Sequence, residues 1–145
     1  MKRVATVLAG AAALLALTGS PSALAAQPAT EPTGPVCGSP GAPGHLSLRA
    51  CVRVSGNQVH LSGLATPTSP ATWQAQQIGF TLSGTGIGAP NVSNLSTTVL
   101  VTASETSVGT LTATVPCGTH VTAAFSVSQP GWAPSTSTVS TTVAC

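Results

Sequence analysis

The chain has 145 residues, of which only four are Lys or Arg and two are Asp or Glu. Beyond residue 25 the charges reduce to Arg49 and Arg53 against Glu31 and Glu105, so that part carries no net formal charge. Such a chain has no basic footprint for nucleic acid or anionic lipid. With no Asp, no Tyr and no Lys after position 2, it also lacks much of the usual catalytic inventory.

The first 25 residues read as a secretory signal peptide. Lys2 and Arg3 form the basic region, residues 4–17 are an apolar run, and Gly19 and Pro21 break it. Ala23-Leu24-Ala25 is then a small-x-small cleavage motif. Its Ala-rich composition looks bacterial. Later apolar runs are too short to span a bilayer, so no membrane association is expected after cleavage. All four cysteines, Cys37, Cys51, Cys117 and Cys145, lie in the exported part. An even count without CxxC spacing predicts two structural disulfides rather than a zinc or redox site.

Residues 26–44 are dense in Pro and Gly and have no hydrophobic period, which predicts an extended arm. From His45 to the C-terminus the pattern becomes that of strands. Leu46, Leu48, Ala50, Val52 and Val54 alternate with Ser47, Arg49, Cys51 and Arg53. Ser55-Gly56-Asn57 supplies turn chemistry, and Val59 and Leu61 return on one side, which makes a β-hairpin. Residues 65–70 are expected to be a turn or crossing loop. A third strand is expected over residues 72–82, with Ile78, Phe80 and Leu82 inward. Leu95, Thr97, Val99 and Val101 give a fourth strand, and residues 104–107 a turn. Leu111, Ala113 and Val115 give a fifth; Val121, Ala123, Phe125 and Val127 a sixth; Val139 and Val143 a last one, reaching Cys145. Seven short strands with Gly/Pro turns and no helical period predict an all-β, antiparallel, immunoglobulin-like sandwich over residues 45–145.

Three disulfide connectivities exist in principle. Cys117 shares parity with Leu111, Ala113 and Val115, and Cys145 with Val139 and Val143, so both are expected to face the core. Cys51 lies on the opposite face of its strand and Cys37 in the arm. Parity therefore favours Cys37–Cys51 and Cys117–Cys145.

Chemistry-bearing residues are few. His45, His60 and His120 are the candidate bases, yet no carboxylate stands ready to orient any of them, and none has helical metal-ligand spacing. Gly84-Thr85-Gly86-Ile87-Gly88-Ala89 mimics a dinucleotide fingerprint, but Pro90 follows where a helix must open. The expectation is a non-enzymatic protein with no cofactor and no metal. Trp73 stands beside Gln74, Gln76 and Gln77, with parity opposite to the third strand's apolar set, and Trp132 lies in a Pro-Gly-Trp-Ala-Pro loop. Exposed Trp beside neutral amides suits a sugar platform or a protein contact; a Trp that plugs an end of the sandwich is the purely structural alternative.

Size, export signal, four cysteines and the arm over residues 26–44 resemble the small adaptor subunits of bacterial umbrella-type toxin particles. In those assemblies a sandwich joins a lectin subunit to a larger toxin-bearing stalk. The resemblance implies a secreted adaptor that binds an extracellular protein partner, through an edge strand or through the arm. A carbohydrate-binding module built on Trp73 or Trp132 is the first alternative. A secreted proteinase inhibitor presenting residues 129–134 is the second.

Overall fold

The computed structural model describes residues 34–87 and 92–145; the signal peptide and the start of the arm lie outside the described residues. Eight strands follow in chain order: β1 (Val36–Cys37), β2 (Leu46–Ser55), β3 (Gln58–Pro67), β4 (Gln76–Thr85), β5 (Val92–Val101), β6 (Thr106–Thr114), β7 (His120–Val127) and β8 (Thr136–Thr142). They form two antiparallel four-stranded sheets, ordered β1-β2-β3-β6 and β5-β4-β7-β8. The chain thus crosses between sheets after β3, β5 and β6, which gives the immunoglobulin-like sandwich its interlocked core.

The β2–β3 hairpin sets the register of the first sheet. Gly56 takes φ +58° in the two-residue turn, and pairing then runs unbroken from Ser55 opposite Gln58 to Leu46 opposite Pro67. Strand β3 therefore extends to Pro67, past the loop expected from residue 65. The inward side chains of both sheets meet in one core, which includes Leu46, Leu48, Leu61, Ile78, Leu82 and Val121. Phe80 and Phe125 stack at its centre, ring centroids 5.3 Å apart. The Phe125 ring lies against the backbone of Gly63, where any Cβ would collide with it.

Strand β6 departs from simple alternation. The register with β3 shifts between Ser62 and Gly63, which face Thr110 and Val108 respectively. Gly109 is the extra residue, at φ +61°, a conformation that glycine adopts without steric cost. The bulge lets Val108 point inward although its parity is opposite to that of Leu111 and Ala113. It also starts the strand at Thr106, inside the turn expected at residues 104–107.

Both disulfides have the expected partners, Cys37–Cys51 and Cys117–Cys145. Cys37 and Cys51 are directly opposed across the β1–β2 pair, and Cys51 is buried beneath the bridge. The expected inward placement of Cys117 and Cys145 is corrected: both are exposed. Strand β6 stops at Thr114 and β8 at Thr142, and parity carries no information beyond a strand's end. The second bridge ties two chain ends together outside the core.

The described part of the arm is fastened rather than loose. Gly38 donates its N–H to the Ala50 carbonyl, and Gly41 and Leu48 exchange two backbone hydrogen bonds of 2.9 and 2.8 Å. On its other side the arm meets β8. The Ser137 hydroxyl donates to the Ser39 carbonyl at 2.7 Å and accepts from the Ala50 N–H at 2.9 Å. The Ser135 hydroxyl accepts from the Ala42 N–H at 2.9 Å. The arm therefore seals the side of the sandwich where β2 and β8 come together.

Candidate functional site

The fold gathers most of the candidate binding residues at one end. Because Leu46 pairs with Pro67, His45 faces Thr68, whose N–H and hydroxyl both donate to the His45 carbonyl, at 2.9 and 3.1 Å. Residues Pro70–Thr72 then form a 3-10 turn, and β4 begins only at Gln76. Trp73 thus precedes the strand, so strand parity does not govern it. The expectation that it lies outside the core is corrected to a half-buried position packed against the core. Its indole Nε1–H donates to the Val101 carbonyl at 3.0 Å, which fixes the ring plane.

Trp132 reaches the same end from the β7–β8 connection. It is also half-buried against the core, and its ring faces Gly44 beside His45, close enough that a Cβ on Gly44 would be in contact. Gln74, Gln76 and Gln77 are exposed. His45, Ser69, Thr72, Trp73, Gln74 and Gln76 line one shallow cleft of about 380 Å³. Gln77 and Trp132 do not line it. His45 is the member that sequence reading failed to place with Trp73, because residues 65–70 read as a loop whereas β3 pairs as far as Pro67 opposite Leu46.

The three histidines are scattered. His45 lies at the tryptophan end and His120 at the start of β7, near the opposite end. His60 sits on the outer face of β3, its Nδ1 3.2 Å from the Thr112 hydroxyl. Among the described residues no three His, Cys, Asp or Glu side chains gather as a metal site would require. The loop over residues 129–134 is held back against the body: the Gln129 side-chain carbonyl accepts from the Gly79 N–H at 3.3 Å, and Trp132 packs inward.

The sheet edges differ from one another. Strand β1 is two residues long, β6 carries its bulge, and β8 runs beside the arm. Strand β5 has none of these protections. Its ten residues, VSNLSTTVLV, pair one for one with β4 without a register shift, and they contain no charge and no proline. Asn94, Ser96, Thr98 and Leu100 point outward, and Leu100 is 48% exposed. Among the described residues, no strand pairs with the far edge of β5.

No protein-family model matches the chain, and no curated protein matches it. Among solved structures it is similar to the solution structure of CsgH from R. palustris, at 18% identity and a TM-score of 0.45, over 67% of this chain and 91% of that one. Two disulfides suit an oxidising compartment, extracellular or periplasmic.

Proposed function

We propose that the protein is a secreted, non-enzymatic binding module that takes up a strand of a partner protein along β5. The observation that carries this reading is the edge itself. A long, flat, uncharged edge strand presents a row of backbone donors and acceptors, and natural proteins ordinarily block such a row with charge, proline, a bulge or a cover. Main-chain pairing there supplies affinity, and the outward row ending at Leu100 supplies a side-chain anchor. The finer form of the proposal is an adaptor that joins two subunits of a larger extracellular assembly, such as an umbrella-type toxin particle. It rests on the export signal, the size, the four cysteines and the arm.

The test is capture of a partner from culture supernatant by the intact disulfide-bonded protein. The unmodified protein should recover a stoichiometric protein partner. The double substitution Ser96→Lys/Thr98→Lys should abolish recovery without changing the melting temperature, because both side chains are exposed. Capture should depend weakly on salt, since the surface has little field for ions to screen. Undiminished capture by the double variant would overturn the edge reading.

A further inference from the structure

We propose that the cleft at the tryptophan end is a binding site for a neutral saccharide, distinct from the β5 edge and independent of the partner reading. The cleft is lined by His45, Ser69, Thr72, Trp73, Gln74 and Gln76 and offers about 380 Å³, open to solvent on one side. That lies within the usual range for small-ligand pockets, about 300–1,000 Å³. Its lining contains no carboxylate, Lys or Arg. A site for phosphate or a carboxylate ligand would present a cation, and a site for a cationic ligand an anion. A neutral polyhydroxylated ligand needs neither. It needs an apolar face for its ring and paired donors and acceptors for its hydroxyls.

Both are present, and they divide between fixed and available groups. Trp73 is the fixed one, its ring held by the Nε1–H bond to the Val101 carbonyl (3.0 Å) and by the 3-10 turn, where its backbone N–H donates to the Pro70 carbonyl at 3.3 Å. The Thr72 hydroxyl is likewise engaged, donating to the Ser69 carbonyl at 3.3 Å. The Gln74 and Gln76 amides, the Ser69 hydroxyl and the His45 ring hydrogen-bond to no other described residue. Each Gln amide offers two donors and one acceptor oxygen, and a hydroxyl does both, which matches the mixed donor–acceptor character of sugar hydroxyls. A lining aromatic whose orientation is already fixed needs little ordering on binding, and that favours affinity from a small contact. The larger concavity on the outer face of the first sheet, about 540 Å³ beside Arg53 and His60, has no aromatic floor.

The experiment titrates the intact disulfide-bonded protein with cellohexaose, chitohexaose and maltohexaose, followed by NMR on backbone, indole and side-chain amide signals. At least one hexasaccharide should saturate at millimolar concentration or below, with shifts centred on His45, Trp73, Gln74 and Gln76. Gln74→Ala/Gln76→Ala should weaken that binding by about ten-fold or more and leave the melting temperature unchanged, since both residues are exposed. Failure of all three sugars to saturate would overturn the proposal. So would sugar binding that the double variant leaves intact. If instead the double variant loses only protein-partner capture, the cleft is a protein contact and the saccharide assignment falls, whereas the Ser96→Lys/Thr98→Lys variant reads the β5 edge separately.

Discussion

Ser137→Ala should be far more damaging than the substitution of any other hydroxyl in its strand. Ser137 is fully buried; its hydroxyl accepts from the Ala50 N–H at 2.9 Å and donates to the Ser39 carbonyl at 2.7 Å. Each bond contributes about 1 kcal/mol net. The two losses are unequal. Ser39 is exposed, so its carbonyl turns to water, whereas Ala50 is buried and its N–H is left without an acceptor. An orphaned buried donor costs about 1–3 kcal/mol, so the total is about 2–4 kcal/mol. For a domain near 100 residues, with roughly 4 °C lost per kcal/mol, the melting temperature should fall by about 8–16 °C. Ser140→Ala, in the same strand as Ser137, is the control: its hydroxyl lies 2.7 Å from the Thr122 hydroxyl of β7, but the pair is exposed. Exposed substitutions of that kind stay within about 0.5 kcal/mol, which is about 2 °C here. Thermal unfolding followed by circular dichroism, with the disulfides intact, compares the two variants. Equal melting temperatures would refute the assignment of Ser137 as the clasp between arm, β2 and β8.

Gly63→Ala places a methyl group where the Phe125 ring already sits. Overpacking of that kind costs about 1–3 kcal/mol, and an unchanged melting temperature would contradict the packing described. Non-reducing peptide mapping should recover Cys37–Cys51 and Cys117–Cys145 and no other pair. Replacing Cys117 and Cys145 together by Ala should lower stability by about 3–4 kcal/mol in the chain-entropy model, measured by denaturant unfolding. A variant as stable as the parent would mean that the second bridge closes nothing the fold does not already hold.

The hairpin of β2 and β3 was legible as far as Leu64, where apolar alternation and Ser55-Gly56-Asn57 agree; the pairing in fact runs on to Pro67 opposite Leu46, through residues whose Pro and Thr content reads as a loop. That continuation is what brings His45 beside the segment that leads to Trp73, so the cleft could not be assembled from the alternation alone. Elsewhere local pattern misled for physical reasons. Trp73 follows a 3-10 turn rather than a strand, and the Thr-Trp-Gln-Ala run of residues 72–75 has no alternation that marks where extension begins. The Gly109 bulge reverses parity within β6, which conceals Val108. Cys117 and Cys145 lie past the ends of their strands, so the correct pairing came from an orientation that the chain does not adopt. Ser137 was invisible in TSTVSTT, where five of seven residues besides it and Val139 carry the same kind of hydroxyl. Only partners distant in the chain, the Ser39 carbonyl of the arm and the Ala50 N–H of β2, distinguish it.

The shortage of charge explains why the edges matter. A sandwich with abundant Lys and Glu guards its outer strands by repulsion, but neither β5, β6 nor β8 contains a charged residue. Protection must come from geometry instead. On one side the arm lies across β2 and β8, held by a disulfide, backbone pairing and the Ser137 clasp. On the other, β6 is kinked by Gly109, whose open backbone is covered by Leu95. Leu95 reaches Gly109 from β5, so β5 spends its inward face on closing the sandwich, while its far edge pairs with no other strand among the described residues. A chain that guards three edges by three different devices and leaves the fourth straight, neutral and ten residues long has the asymmetry expected where a partner strand completes the sheet.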